Sequence, residues 1–319
     1  KAPREKTFRL RKDAQAFEAR IRTEMAHGGY RDPRNDRITL AEWHQQWWPI
    51  IEGSTLTRGT ITTYESLLRL HILPHLGKRP MSSIRRIDVE TWLTTKRQEG
   101  LSGSTLSKAK SLLNRLFASG VDNGIVLTNP VLGIRSTGAP PAAVRKALTH
   151  DQIDAIVDAL PEEYQAFVLV LAYCGLRPGE AIYLRRRHLT DDNRLLIEGG
   201  LVESHGHLIE GPTKTGRIRT VPMTDVVQAA LADHLSTRPD HPDTRIFVTS
   251  AGADIRLSNF RRVLRRAAQD AGIDHPITPY NFRHTCASLL AQGRVPVSLA
   301  ANMLGHHPNV FLATYAHIY

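Results

Sequence analysis

Apolar residues recur along the first half of this chain at helical spacing, and strand-like alternation enters only later. The stretch FRLRKDAQAFEARIRTEMAHGGY predicts a short extended segment and then a helix over 12–26, stopped at Gly28-Gly29. Pro33 and Asn35 mark a link to the next element. There TLAEW carries a capping box, Thr39 with Glu42, in which each side chain satisfies a backbone N–H left over at a helix start. Trp43, Trp47 and Trp48 follow at helical spacing, which favours a core-facing stripe over a platform for stacking bases. Further helical patterns cover 60–70, 88–98 and 104–119, the last stopped by Gly120. Together they predict an all-helical domain over residues 37–134.

The segment RSTGAPPAAVRKA, 135–147, is rich in proline, small residues and positive charge, and reads as an interdomain linker. A second capping box, Thr149 with Gln152, opens a domain over 148–319. Its FVLVLAY run (167–173) reads as a buried helix that turns sharply at Gly175. Strand patterns lie at 195–198, 207–210 and 217–221, with helices expected at 224–235, 257–271, 279–292, 297–304 and 309–316. The last two strands predict a hairpin with Lys214 at its tip, between Pro212 and Gly216. The expected fold class is therefore mainly α with a small β-sheet (α+β). Internal repeats and low-complexity tracts are absent from the sequence.

Charge sharpens this division. Residues 1–150 hold 25 Lys+Arg against 13 Asp+Glu, a balance of +12, whereas 151–319 hold 17 against 18, a balance of −1. A basic excess on one half suggests a polyanionic partner, nucleic acid before membrane, with a solvated basic surface as the alternative. No apolar stretch approaches a membrane span, and the basic N-terminus lacks a signal-peptide core. Two cysteines far apart, Cys174 and Cys286, imply neither a disulfide framework nor a zinc site, so a reducing cytoplasm is expected.

Four short stretches carry candidate chemistry. In YCGLRPGEA, Arg177 stands at the end of an apolar run; a guanidinium keeps its proton and needs an anion, either Glu180 as a structural ion pair or one from outside. GPTKTGRIRTVPM carries Lys214. TPYNFRHTCASLL sets Tyr280 and Arg283 three apart on one face of a helix start. MLGHHPNVFLATYAHIY sets His306 after a glycine-terminated helix and Tyr315 nine residues later.

That order of Arg in G-L-R-x-x-E, then Lys, R-H-T, L-G-H and a tyrosine resembles the catalytic domain of the tyrosine recombinases, the phage integrase family, over about 148–319. Residues 37–134 resemble that family's SAM-like core-DNA-binding domain, and 1–36 resemble the C-terminal remnant of an arm-binding domain with its linker helix. The resemblance implies a site-specific recombinase of a temperate phage or mobile element, closing on duplex DNA as a C-shaped clamp. Tyr315 would attack the scissile phosphate, forming a 3′-phosphotyrosine and releasing a 5′-hydroxyl. Arg177 and Arg283 would fork onto its non-bridging oxygens, His306 would add a hydrogen bond, Glu180 would orient Arg177, and Lys214 would protonate the leaving oxygen. Bond energy is kept in the intermediate, so neither metal nor ATP is required, and no cofactor is expected. The implied partners are double-stranded attachment sites, a homotetramer in the synaptic complex, a DNA-bending host factor and an excisionase, in a nucleoid-associated, bacterial cytoplasmic setting.

One position departs from the family: the residue three before the second arginine is usually histidine and here is Tyr280. A phenol hydrogen-bonds a phosphate well, but with a pKa of about 10 it is a poor general base; simple packing is the alternative. His284 reads as a buried, hydrogen-bonded structural histidine, and His317 as a local packing residue near the nucleophile. Tyr319, a second tyrosine thirteen residues past His306, reads as a tail residue. RRVLRRAAQ, 261–269, reads as a solvated helix face, with DNA-backbone contact second. His306-His307 lacks Cys, Asp or Glu at ligand spacing, which disfavours metal. Alternative functions are a Xer-like resolvase, a conjugative-transposon integrase, a type IB topoisomerase, or a non-catalytic DNA-binding protein. The segment before Pro33 favours an integrase over a resolvase.

Overall fold

The Thr39 hydroxyl accepts the Glu42 N–H at 3.2 Å and the Glu42 carboxylate accepts the Thr39 N–H at 2.8 Å, so helix Leu40–Glu52 starts with the reciprocal cap that TLAEW predicts. The structure is a computed structural model that describes residues 7–26, 33–135, 146–204 and 206–318. The chain divides into two units, Lys1–Ala142 and Ala143–Tyr319. The expected glycine stop at 28–29, residues 136–145 of the expected linker and Tyr319 lie outside the described residues.

The first unit is helical: α1 (Arg11–Ala26), α2 (Leu40–Glu52), α3 (Arg58–Leu67), α4 (Leu73–Leu76), α5 (Arg86–Gln98) and α6 (Gly103–Asp122). Trp43 and Trp47 are buried with Leu112, Leu113, Leu116 and Phe117 of α6, and the Trp43 indole donates to the Leu116 carbonyl at 3.2 Å. Trp48 packs partly buried against the same cluster, so the tryptophan stripe serves the core. Each such buried side chain contributes about 1.5–3 kcal/mol relative to exposure.

The stop expected at Gly120 does not occur; α6 runs through it to Asp122. A Cβ there would stand 3.0 Å from Met81 Cε and 3.4 Å from Val126 Cγ2, so this glycine marks a close side-chain approach. The stop falls at Asn123-Gly124, where Gly124 takes φ +67°.

The second unit holds α7 (His150–Asp158), α8 (Glu162–Leu169), α9 (Pro178–Tyr183), α10 (Asp225–Ser236), α11 (Leu257–Asp270), α12 (Pro279–Gln292), α13 (Val297–Leu304) and α14 (Pro308–Tyr315). The apolar run forms α8 and a wide turn, Val170–Cys174, and is almost wholly buried. Phe167 meets Phe247 and Phe260 edge-on, with centroids 5.3 and 5.1 Å apart. Arg261, Arg262, Arg265 and Arg266 lie on the exposed face of α11, while Leu264 and Ala267 are buried beneath it.

The sheets depart from the expected hairpin. Strands β1 (Leu189–Thr190), β2 (Arg194–Ile197), β3 (Gly199–Ser204), β4 (His207–Pro212) and β5 (Arg219–Pro222) form two antiparallel sheets, β1-β2-β5 and β3-β4. β4 pairs with β3, from Gly199–Pro212 to Ser204–His207, and β5 pairs with β2. Lys214 is therefore not the tip of a hairpin formed by 207–210 and 217–221. It lies on a turn that carries the chain from one sheet to the other, closed by the Gly216 N–H to the Thr213 carbonyl at 2.8 Å. The Lys-Thr-Gly turn is legible from sequence, but its flanking strands are not partners: β4 pairs with its immediate neighbour β3, which the sequence pattern does not predict, and β5 reaches back past that hairpin to β2.

Candidate active site

Gly175 ends the buried run with φ +65°, and a Cβ there would lie 2.5 Å from Leu304 Cδ2 and 2.9 Å from Cys286 Sγ. No side chain fits this turn, which presents two things: the Gly175 carbonyl and, two residues on, Arg177 at the start of α9. Arg177 donates its backbone N–H to Glu180 Oε2 at 2.9 Å and Nη1 to Oε1 at 2.8 Å. The ion pair considered from sequence therefore exists, but it is shared. From β5, Arg219 donates Nη2 to Glu180 Oε2 at 2.7 Å and Nη1 to Oε1 at 3.2 Å. Burial alone would raise the Glu180 carboxyl's pKa; the Arg219 and Arg177 bonds and charges outweigh it and hold the value below the usual range.

The C-terminus of α13 organises the rest. Gly305, at φ +60°, turns the chain so that its N–H bonds the Asn302 carbonyl at 2.9 Å and the His306 N–H bonds Ala301 at 2.8 Å. The next three carbonyls each accept one arginine. Met303 takes Arg219 Nε at 2.8 Å, Leu304 takes Arg283 Nη2, and Gly305 takes Arg177 Nη2 at 2.9 Å. A Cβ on Gly305 would sit 3.1 Å from Arg219 Nη1 and 3.3 Å from Arg177 Nη1.

Arg283, on α12, is 5% exposed, and its bonds run to the Gly175 carbonyl at 2.5 Å, to Leu304 and to His306 Nε2 at 2.8 Å, all neutral acceptors. Burial and then the Arg177 charge lower its pKa to about 10, so it remains protonated at neutral pH. Two guanidiniums thus share one carboxylate, and the third, Arg283, is held beside them by neutral acceptors. Uncompensated buried charge costs several kcal/mol, and a bound anion would repay it.

Burial and the charges of Arg283, Arg177 and Arg219 lower the His306 pKa to about 4, so its ring is neutral at pH 7. A guanidinium only donates, so His306 Nε2 accepts and the ring proton sits on Nδ1. That Nδ1 is buried and has no hydrogen-bond partner among the described residues. It is a donor held at the edge of the arginine cluster.

Tyr315, near the end of α14, is 5% exposed and packs on Phe311, with ring centroids 4.9 Å apart. Its phenol lies 2.9 Å from His284 Nδ1. His284 follows Arg283 directly on α12, so neighbouring residues of one helix serve the arginine cluster and the tyrosine. His317 is exposed. Lys214 and Tyr280, the latter 43% exposed, take no part in the hydrogen-bonded network of the arginines. The structure thus joins Arg177, Glu180, Arg283 and His306, brings Tyr315 alongside through His284, and leaves Lys214 and Tyr280 at the surface.

The sequence profile of the phage integrase family matches residues 146–319, and that of the family's N-terminal SAM-like domain matches 39–114. The chain belongs to the phage integrase family. Members of this tyrosine recombinase family are site-specific recombinases. Among similar proteins, the integrase of Mycobacterium phage D29 is 27% identical over 277 residues, 84% of this chain and 72% of that protein. Tyrosine recombinase XerC of Alcanivorax borkumensis is 25% identical, covering 76% of this chain and 78% of its own. The fold matches the Tn1549 transposon integrase in complex with a circular intermediate DNA, with a TM-score of 0.78 at 19% identity, over 88% of this chain and 96% of that one. A lambda integrase tetramer bound to a Holliday junction matches at 0.71 and 19%, over 94% of this chain and 89% of its own.

Two members of the site were not singled out from sequence as such: Arg219, and His284 as the partner of Tyr315. Arg219 had a signal. It alternates with Val221 on the inward face of a strand, where a charged residue calls for a buried counter-ion.

Proposed function

We propose that the arginine cluster holds the scissile phosphate of a DNA strand while Tyr315 attacks it, making this chain a DNA integrase that cuts and rejoins attachment sites through a 3′-phosphotyrosine. The observation that carries this reading is Arg283, buried and bonded only to neutral acceptors among the described residues. A phosphate supplies the missing charge, and it gains negative charge as the phosphorane forms, where preorganised donors act most strongly. Arg177 and Arg283 fork onto the non-bridging oxygens, and His306 donates Nδ1–H to one of them. Glu180 and Arg219 fix Arg177, and Lys214, on its exposed turn, protonates the leaving 5′-oxygen. The phosphotyrosine preserves the energy of the broken bond, so a second strand's hydroxyl reverses the attack without a nucleotide. No helix among the described residues is long and apolar enough to cross a membrane.

The basic first half, 25 Lys+Arg against 13 Asp+Glu over residues 1–150, supplies non-specific affinity for duplex DNA. Exchange between two duplexes needs four cuts and hence a tetramer in which each protomer supplies one Tyr315. A DNA-bending host factor and an excisionase set the direction. The XerC relative supports a second reading, resolution of joined chromosomes, which differs in the DNA recombined and not in the chemistry.

The test is covalent trapping on fragmented genomic DNA followed by sequencing of the attached ends. Ends that converge on one phage or element junction, attached through Tyr315, are expected, with Tyr315→Phe binding DNA but forming no adduct. Adduct persisting in Tyr315→Phe would overturn the assignment, and ends converging on a chromosomal terminus site would favour the resolvase.

A further inference from the structure

Tyrosine attacks phosphorus as phenolate, so its proton needs an acceptor at the moment of attack. Tyr280, where the family usually has histidine, is a poor acceptor, because one phenol has no advantage in basicity over another. His306 is excluded by its own bonding, because Nε2 already accepts from Arg283 and Nδ1 carries the ring proton. The three arginines keep their protons, and Lys214 is spent as the acid. His284 remains. Its Nδ1 lies 2.9 Å from the Tyr315 phenol oxygen, with ring centroids 5.2 Å apart. A neutral imidazole within hydrogen-bond reach of a phenol is a competent general base.

We propose that His284 is a catalytic residue, the general base that takes the Tyr315 proton at Nδ1. The inference rests on Tyr315 being the nucleophile. In the step, the phenol O–H breaks and its proton passes to Nδ1, while Nε2 carries the ring's other proton. The phenolate oxygen forms the bond to phosphorus, the P–O5′ bond breaks, and the departing oxygen takes a proton from Lys214. Rejoining runs backwards: the 5′-hydroxyl attacks as its proton returns to Lys214, the phenolate leaves, and His284 returns the proton to it. Arg283 and His284 are adjacent on α12, so one rigid helix sets both the phosphate clamp and the base.

The test uses a nicked duplex built from the core sequence recovered by trapping with the wild-type protein. His284→Asn keeps a hydrogen-bonding group at the Nδ1 position but cannot accept a proton. It should bind the duplex normally and form adduct more slowly by about a hundredfold or more, within the usual range for a lost general base. Replacing Tyr315 in that variant by a polyfluorinated tyrosine, whose phenol ionises near neutral pH, should restore most of the rate. His284→Gln, read the same way, serves if His284→Asn does not bind DNA. Wild-type rates in both variants would reduce His284 to packing and overturn the proposal. Faster cleavage than wild type would make the contact a restraint on Tyr315 and also overturn it, as would a slow variant that the fluorinated tyrosine leaves slow. Adduct formation by Tyr315→Phe is scored separately; it removes the nucleophile assignment itself, whereas the other outcomes leave that assignment standing.

Discussion

Arg219 and Glu180 meet as a buried ion pair, with Nη2 2.7 Å from Oε2 and each side chain 3% exposed. Removing one partner of such a pair costs about 3–5 kcal/mol, because the other charge stays buried. Arg177 still faces Glu180 after Arg219→Ala, so a loss near 3 kcal/mol is expected by urea unfolding. Cleavage should fall further than stability explains, since Arg177 would then compete alone for the carboxylate and lose its fixed position. Unchanged cleavage in a folded Arg219→Ala protein would separate this pair from the reaction.

Arg177→Lys and Arg283→Lys keep the charge but lose the planar fork. An ammonium cannot bond Glu180 and the Gly305 carbonyl as Arg177 does, or reach Gly175, Leu304 and His306 together as Arg283 does. Each should slow adduct formation about a hundredfold or more, roughly 3 kcal/mol of transition-state stabilisation. Single-turnover cleavage measures it, and a near-normal rate would return that arginine to a purely structural role.

Lys214→Ala should stall cleavage of ordinary DNA and recover on a duplex whose 5′-bridging oxygen is sulfur. A thiolate departs without a proton, so an acid becomes dispensable. Equal impairment on both substrates would give Lys214 another task, such as holding the strand.

His306 makes stability depend on pH. Its folded value of about 4 lies below the value near 6.5 of an unfolded chain. Between the two, the unfolded state binds the extra proton, so this contribution is full above about pH 6.5 and declines as pH falls toward 4. His306→Gln removes the titration, so the variant should lose less stability than wild type between pH 7 and 5 in urea melts. Parallel losses in the two proteins would show that other groups govern this window.

The sequence displayed those site residues that lie inside short motifs. Arg177, Arg283, His306 and Tyr315 each sit beside a local marker, a glycine turn or a helix end, that survives without any knowledge of the fold. Arg219 carries a signal on the inward face of its strand, but its partner is 39 residues away, and only the fold shows that Glu180 faces it. The contact between His284 and Tyr315 was hidden for the same reason, since it joins two helices. The turn of Lys214 is legible, but its flanking strands are not each other's partners: Gly199–Ser204 lacks a clear strand pattern, yet it takes up β4 and leaves β5 to pair with β2. Gly120 resembled a stop, and the reason for it lies in Met81 and Val126, outside its own helix.

The row of carbonyls at Met303, Leu304 and Gly305 works as a ruler. Successive residues of a trans chain are spaced by about 3.8 Å, and that interval sets the order in which Arg219, Arg283 and Arg177 are fastened. The fastening uses backbone oxygens, so the side chains of Met303 and Leu304 are at liberty to drift so long as the core accepts them. The number of residues from Val297 to His306 has no such liberty. One residue inserted or deleted there would shift every arginine to the wrong mark, and His306 with them. Spelling is negotiable in this segment, and length is not.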